Sequence, residues 1–267
     1  MADALKAFWW IAAMWIRSAF AYRTSFLMLA VGQFVVTSLD FVVIFIMFSH
    51  VKSLGGFVLP EVAFLYSTSG VAIGLADLVL GNAERVGQRI RSGEFDVILI
   101  RPVPAFVQTA ADNFGIHRLG RITQATAVFV WSLVALDIDW TWDRILLVPL
   151  MLICGAVIFG AIFVLGGAFQ FAAGDAAEVM NAFTYGGNVL TQYPPTIYAR
   201  KLVLAATFAI PLGFVNWLPA MHVLGRPDAL GLPEAFQFAS PVAAVVISSL
   251  AALAWRAGVR SYRSTGS

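Results

Sequence analysis

Long stretches of apolar residues alternate with short charged segments along the whole chain. An apolar stretch of about 18 residues or more is long enough to cross a bilayer as a helix. Six stretches approach or exceed this length, with limits good to a few residues. They predict an all-α integral membrane protein with one transmembrane domain over residues 1–267. The predicted spans are residues 25–48, 60–81, 118–137, 145–171, 200–219 and 240–256.

Composition agrees with a membrane protein and argues against several other classes. Of the 267 residues, 60% are hydrophobic and 12% are charged, and the mean hydropathy is +0.83. A soluble domain is about half apolar and about a quarter charged. The 17 basic and 15 acidic residues are therefore too few to solvate a soluble enzyme. The formal net charge of +2 gives no indication of a nucleic-acid partner.

The basic residues predict the orientation of the spans. If the N-terminus is cytoplasmic, only Lys52, Arg144 and Arg226 lie on the opposite side, and the other 14 of the 17 basic residues are cytoplasmic. This positive-inside asymmetry predicts cytoplasmic termini and an even number of spans. The weakest stretch is 174–198, which could hide a partial seventh span or lie flat. We expect residues 175–191 along the cytoplasmic surface, and Arg200 and Lys201 at the cytoplasmic end of the fifth span.

Residues 1–23 predict an amphipathic helix at the membrane interface. The alternative is a signal peptide, because residues 19–21 (AFA) match a small-x-small cleavage pattern. Asp3 beside Lys6 cancels the positive charge that such a leader needs, and Arg17 interrupts its apolar part, so we favour the interfacial helix. Its apolar face at helical spacing comprises Leu5, Phe8, Trp9, Ala12, Trp15, Ile16 and Ala19.

The sequence contains no recognisable catalytic motif. A phosphate-binding P-loop needs Gly-Lys followed by Ser or Thr, and none of Lys6, Lys52 and Lys201 follows a glycine. The three histidines are scattered and form no HExxH pair, and no Gly-x-Ser-x-Gly elbow is present. We therefore expect no active site, metal site or cofactor in this chain, and it could not bind ATP through a P-loop.

The connection after the second span, residues 83–104, carries the most informative pattern. Residues 83–91 predict a short helix with Arg85 and Arg89 in a basic stripe, and Ser92-Gly93 ends it with a left-handed cap. An apolar strip follows and is broken at Arg101-Pro102. The segment could dock in a groove of a partner protein. Alternatively, its arginines could simply hold a loop at an anionic membrane surface.

Residues 90–104 (IRSGEFDVILIRPVP) resemble a signature of bacterial ABC-2 type permeases, six-span subunits often encoded beside a separate ATPase. Two further stretches are similar to this family in the same order. They are residues 193–198 (YPPTIY) with 208–220 (FAIPLGFVNWLPA), and residues 261–267 (SYRSTGS). The resemblance implies a type V exporter-like permease in the bacterial plasma membrane.

The resemblance also implies how the chain works. Its partners would be two ATP-binding cassette ATPase subunits, a second permease in a homodimer or heterodimer, and membrane lipids. ATP and Mg²⁺ would be bound by the ATPases, and the cargo would be an exported amphipathic small molecule or lipid, with import as the open alternative. The residues expected to couple the permease to the ATPases are Glu84, Arg85, Arg89, Ile90, Gly93, Phe95, Asp96, Arg101 and Pro102.

Asp40 lies inside the first predicted span, where a carboxylate is costly and by default suggests function. It could form an intramembrane polar site and serve a proton- or ion-coupled carrier that works alone. It could equally be hydrogen-bonded to Thr37, Ser38 or a neighbouring helix. A membrane-embedded enzyme would need a cluster of polar residues that the sequence does not show. Residues 221–239 could form a re-entrant piece or a plain ordered loop.

Overall fold

A computed structural model describes residues 2–174 and 176–264. Asp175 and the last three residues of the C-terminal motif, 265–267, lie outside the described residues. The described chain is helical, and its extended pairing is confined to one isolated bridge, Leu54 with Phe57. The α-helices are α1 Ala2–Ala21, α2 Arg23–His50, α3 Leu59–Leu80, α4 Val86–Arg91, α5 Glu94–Ile100, α6 Ala105–Ala111, α7 Leu119–Ala135, α8 Trp142–Ala173, α9 Ala177–Thr191, α10 Arg200–Phe208, α11 Trp217–Val223 and α12 Ser240–Ser261.

Four helical units of the described chain are long and apolar enough to cross a membrane: α2, α3 with its continuation to Arg91, α8 and α12. A fifth is gained if the bent pair α10 and α11 counts as one span. Helix α7 has 17 residues and is about 26 Å long at the rise of an α-helix. The chain is thus a multi-pass membrane protein, and the count of six spans stays a prediction.

Helices α3 and α8 form the centre of the bundle, because small residues let their neighbours approach closely. Sixteen of the 22 residues of α3 are buried. A Cβ on Gly70 would lie 3.1 Å from Ala125, and one on Gly74 would lie 2.7 Å from Ile122. The glycines of α3 therefore face α7. Helix α12 packs along α8, and α2 lies at the outside with only Thr37 and Ile44 buried.

Helix α1 packs on α6 and on the loop that follows it. Ala12 is fully buried against Phe114 and Ile116. Five of the seven residues of the predicted apolar face lie in or against this cluster, and the remaining two, Leu5 and Trp9, are exposed. The predicted amphipathic helix over residues 1–23 thus corresponds to α1, with an apolar face narrower than the sequence suggests.

The expected path of residues 175–191 along a surface differs from the structure. Helix α9 packs antiparallel against the second half of α3 with one buried side. Thr184 donates to Glu84 Oε1 at 3.1 Å, and seven residues later Thr191 lies 2.6 Å from Ser69 Oγ. The chain then reaches the loop between α2 and α3, where Thr196 donates to the Gly55 carbonyl at 2.8 Å. We call this end of the bundle, marked by residues 51–58, the distal end, and the end marked by residues 81–118 the proximal end.

The predicted fifth span, residues 200–219, is not one helix. Helices α10 and α11 are bent by 80° at a short break, where Pro211 interrupts the hydrogen-bond ladder. Arg200 begins α10 at the distal end, since its Nη2 lies 3.5 Å from the Leu230 carbonyl. After α11, Arg226 forms an ion pair with Glu61 at the distal start of α3, with N–O distances of 2.8 Å.

The structure consequently changes the predicted location of two basic residues, Arg200 and Lys201. The prediction placed Arg200 and Lys201 with the cytoplasmic residues, whereas the structure places them at the distal end with Lys52, Arg144 and Arg226. Of the 17 basic residues, 12 (14 minus 2) then belong to the proximal end and 5 (3 plus 2) to the distal end. The asymmetry is weaker but keeps its sign.

The stretch 221–239 contains the end of α11, an ordered loop and a 3-10 helix, Glu234–Phe238. Asp228 accepts hydrogen bonds from the backbone N–H groups of Leu230 and Leu232 at 3.1 and 2.8 Å, which fixes the turn. Leu230 is buried in the distal core. The stretch is ordered, and the sharp bend of the chain lies before it, between α10 and α11.

Candidate functional site

Residues 81–104 form two short helices at the proximal end, and we call them the 81–104 segment. A 3-10 turn, Gly81–Arg85, continues α3 directly into α4. Gly93 has φ +74° and separates α4 from α5. A left-handed φ favours glycine, which has no Cβ, so the predicted cap is confirmed. Arg101 is extended before Pro102, which ends α5 as predicted.

Gln170, near the end of α8, holds the start of the segment. Its Oε1 accepts from the Gly87 N–H at 2.8 Å, and its Nε2 donates to the Glu84 carbonyl at 2.6 Å. A Cβ at Gly87 would collide with this amide. Gly167 similarly lets α8 touch the Ala83 carbonyl. The turn between α3 and α4 is therefore bonded to α8 through its backbone, as buried polar groups require.

A buried polar network lies beside this turn. Glu84 accepts from Thr184 of α9 at 3.1 Å. Arg118 donates to the Asp77 carbonyl at 2.5 Å and to Asn82 Oδ1 at 3.1 Å, and its Nε lies 3.4 Å from Asp77 Oδ2. Asn82 in turn donates to the Asp112 carbonyl at 2.6 Å. The network ties α3 and α9 to the connection between α6 and α7.

Phe95 anchors α5 in the core. Its side chain is fully buried and packs edge-to-face against Phe171 at 5.1 Å and Tyr262 at 5.0 Å between ring centroids. Phe171 also contacts Trp255 of α12 at 5.5 Å. Such aromatic contacts add to the free energy gained by burying the rings. Ile90 is buried in the same cluster.

Asp96 is bound by the residues that follow α12. Tyr262 donates to its Oδ1 at 2.9 Å, and Ser264 donates to its Oδ2 at 2.8 Å. Burial and the hydrogen bond to the Asp96 carboxylate raise the pKa of Tyr262. The hydroxyl therefore stays protonated and keeps its role as donor. This contact joins the 81–104 segment to the described part of the C-terminal motif.

Arg89 also points inward rather than to a partner. Its Nη2 lies 2.7 Å from Asp112 Oδ2, and its side chain is 12% exposed. Nη1 of the same guanidinium has no hydrogen-bond partner within the described chain. The ion pair links α4 to the end of α6.

The outer face of the segment carries a different set of side chains. Ile100 is 83% exposed, and Val97 and Leu99 are also exposed on α5. Arg101 and Pro102 directly follow α5 and are exposed, and Arg85 is exposed in the turn before α4. The outer face of α5 thus combines partly exposed apolar side chains with an arginine at its end.

The structure therefore separates the nine predicted coupling residues into two groups. Buried or internally bonded residues are Glu84, Arg89, Ile90, Phe95 and Asp96, with Gly93 at the turn. Exposed residues are Arg85, Arg101 and Pro102. Sequence reasoning missed Gln170, Thr184 and Asp112, which bind the segment from other helices. Gln170 gave one usable signal, because it is a lone amide at the end of an apolar run.

Asp40 is hydrogen-bonded to neither Thr37 nor Ser38, the two nearby partners considered from the sequence. Thr37 donates to the Gln33 carbonyl at 2.9 Å and Ser38 donates to the Phe34 carbonyl at 2.7 Å. Asp40 is exposed and lines a cavity among α2, α3, α7 and α9. Within residues 2–174 and 176–264, no group of three His, Cys, Asp or Glu side chains is arranged to hold a metal ion.

Comparison with known proteins gives one finding. A family model described as "ABC-2 family transporter protein" matches residues 34–266 of the chain. Searches of the curated proteins and of the solved structures return no match. The match covers every helix from the middle of α2 onward, including the whole 81–104 segment.

Proposed function

The chain belongs to the ABC-2 transporter family and is a permease component of an ABC transporter, and we propose that it exports an amphipathic molecule with energy from a separate ATPase. Members of this family are transport components rather than enzymes by themselves. ATP and Mg²⁺ would be bound by the partner, as the sequence contains no P-loop.

The observation that carries this proposal is the exposed face of the 81–104 segment. Ile100 and its apolar neighbours lie on a helix whose other side is fixed by Phe95 to Phe171 of α8 and to Tyr262 after α12. A rigid surface helix with apolar anchors suits docking into a groove of another protein. Because α4 continues α3 through one helical turn, a movement of the docked face would reach the transmembrane helices directly.

We further propose six crossings, by α2, α3, α7, α8, α9 and α12. Support for α9 comes from its contacts, which run from Glu84 at the proximal end to Ser69 in the middle of α3, and from Thr196 after its end, which reaches Gly55 at the distal end. Helices α10 and α11 would then form a re-entrant hairpin open to the distal side, since residues on both sides of it, Arg200 and Arg226, lie there. This arrangement keeps both termini on the proximal, cytoplasmic side of a bacterial plasma membrane.

The proposed assembly contains two ATPases and a second permease, which is either a copy of this chain or a related one. Support comes from α2, where only Thr37 and Ile44 of 28 residues are buried. A helix this exposed faces either lipid or another subunit. Its apolar surface suits both.

Co-purification tests the main proposal. The full chain, tagged and extracted in mild detergent from its native cells, should carry an ATP-binding subunit, and vesicles containing the complex should transport only with hydrolysable ATP. Uphill transport by the chain without any ATPase would contradict the proposal. That result would instead favour an ion-coupled carrier, the alternative that the exposed, unbonded carboxylate of Asp40 keeps open.

Cysteine accessibility tests the crossings separately. Single cysteines at Thr196 and Asp228 should react with an impermeant reagent from the same side if α10 and α11 are re-entrant. Labelling from opposite sides would show that the pair is a span. A cysteine at Arg91 should react only from the other side and serves as the reference.

A further inference from the structure

One cavity differs from the others in its chemistry. Two larger ones, of about 650 and 680 Å³, lie along α8 and α12 and are lined mainly by apolar side chains. The cavity beside Asp40 has a volume of about 320 Å³, at the lower end for small-molecule sites. Nine of its fourteen lining residues carry a polar side-chain group. Polar linings at membrane depth are costly and indicate a function.

The lining contains one acidic and one basic side chain, Asp40 and Arg121. No hydrogen bond or ion pair to Asp40 occurs in the part of the chain that the structure describes. The two charges therefore do not neutralise each other by direct contact. An unpaired carboxylate inside a membrane helix attracts a cation, and Tyr66 and Tyr193, which line the same cavity, offer aromatic rings that favour one further.

Arg121 has unused donor capacity. Its Nε and Nη2 lie 3.3 and 3.1 Å from Gln33 when the amide is oriented with its oxygen toward the guanidinium. The guanidinium carbon lies 5.6 Å from the centre of the Tyr185 ring. Nη1 is buried and has no partner within the described chain. Arg121 lines the cavity, and arginine is well suited to phosphate or carboxylate oxygens.

The two charges lie at different depths. Arg121 contacts Gln33, and Asp40 follows seven residues later on α2, which corresponds to about 10 Å along the helix. Polar groups fill the interval: Tyr66 donates to the Thr37 carbonyl at 2.8 Å and lies 3.4 Å from Gln124 Oε1. The cavity therefore offers a positive group at its proximal end, neutral polar groups in between, and a negative group farther toward the distal end.

From this arrangement we propose that the cavity binds the head of a zwitterionic amphiphile, with its anionic oxygens at Arg121 and its ammonium group at Asp40. The apolar tail would leave sideways past α2, where Asp40 and Val43 are exposed. The inference rests on the proposed transport function and narrows its cargo to molecules that carry both charges. A purely cationic or purely anionic amphiphile would leave one of the two side chains unpaired.

Photolabelling with matched lipids tests the proposal. The full chain, with the subunits that co-purify, is placed in nanodiscs with one of three diazirine probes of identical acyl chain. Their heads are phosphocholine, trimethylammonium and phosphate. The phosphocholine probe should label peptides of α2 and α9 at the lowest concentration, and equal labelling by all three heads would overturn the proposal.

Two variants assign the charges. Asp40→Asn should raise the half-saturating concentration of the phosphocholine and trimethylammonium probes about tenfold, because the ion pair between the carboxylate and the quaternary ammonium is lost, and it should leave the phosphate probe unchanged. Arg121→Gln should raise the half-saturating concentration of the phosphate probe and leave that of the trimethylammonium probe unchanged. Leu39→Ala, exposed beside Asp40 but outside the cavity lining, is the control and should change none. Loss of labelling in the control as well, or no change in either charge variant, would contradict the site.

Soluble phosphocholine without an acyl chain distinguishes the source of the head. Competition by it indicates a free zwitterionic solute, and its failure to compete indicates a lipid. Co-purification of the ATPase is measured on the same samples and should be unaffected by Asp40→Asn. If the chain prefers the phosphocholine head but no ATPase co-purifies, the transport proposal is contradicted and the binding site is supported. If an ATPase co-purifies but no head is preferred, the binding site is contradicted and the transport proposal is supported.

Discussion

The inner and outer faces of the 81–104 segment differ more than their sequence suggests. On the inner face, Phe95 and Ile98 are buried. On the outer face, Ile100 at the end of the same helix is 83% exposed. Residues of one motif can thus serve either the fold or a partner. Variants that test docking must therefore be chosen among the exposed residues of the 81–104 segment, because changes at its buried residues also affect the fold.

The largest effect on the inner face is expected from Phe95→Ala. Removing a buried aromatic ring costs about 3 to 5 kcal/mol of unfolding free energy, because the ring fills the space between Phe171 and Tyr262. Thermal unfolding in detergent measures the loss. Val97→Ala, on the exposed side of the same helix, should change stability little, and equal losses in both variants would refute the distinction between the faces.

A smaller loss is expected from Gly87→Ala. The added Cβ collides with the Gln170 side chain and separates it from the Gly87 N–H, which leaves buried polar groups unsatisfied at a cost of about 1 to 3 kcal/mol. Gly186→Ala is the matched control, since a Cβ there meets nothing within 4 Å and alanine favours the helix by about 0.5 to 1 kcal/mol. If both variants are more stable than the original chain, the hydrogen bond between the Gly87 N–H and Gln170 of α8 is ruled out.

Tyr262→Phe should have a still smaller effect on stability. It removes the hydroxyl that donates to Asp96 at 2.9 Å and keeps the ring that packs on Phe95. A hydrogen bond to a charged group contributes about 1.5 to 3 kcal/mol, and the expected loss is only about 1 kcal/mol because Ser264 still donates to the same carboxylate. Comparison with Tyr262→Ala separates the hydroxyl from the ring. If both variants lose the same stability, the hydrogen bond carries all of it.

The smallest effect on stability, within about 0.5 kcal/mol, is expected from Ile100→Ser. The same change should abolish co-purification of the ATPase and ATP-driven transport, because it removes the most exposed apolar side chain of the outer face. Val134→Ser is a control of equal exposure, 83%, on α7, and it should keep both properties. Retained coupling in the Ile100 variant would show that the partner binds elsewhere.

The long spans were predictable because their residues are apolar all round. Residues 25–48, 60–81, 145–171 and 240–256 agree with α2, α3, α8 and α12 to within a few residues, apart from extended ends. The sequence left helix α9 open between a partial seventh span and a segment lying flat, and its polar residues favoured the cytoplasmic surface. Thr184 and Thr191 instead turn inward and bond to Glu84 and Ser69 on α3. A hydropathy pattern does not reveal polar groups that satisfy one another inside a bundle.

The candidate site was predictable only in its local structure. Gly93 and Pro102 end their helices for reasons that lie in their own backbone. The direction of the apolar strip was not predictable, because Phe95 is held by residues more than 70 positions away, Phe171 and Tyr262. The inward turn of Arg89 has a similar cause, since Asp112 belongs to another helix connection.

The bond between Asp96 and the residues after α12 determines how force would spread through the permease. A displacement of Ile100 would reach α3 through the Gly93 turn and α4, and would reach α12 through Tyr262. Helix α8 packs against both and would feel the two movements together. A force on the outer face of the 81–104 segment would therefore move α3 and α12 together, although these helices come from opposite halves of the sequence.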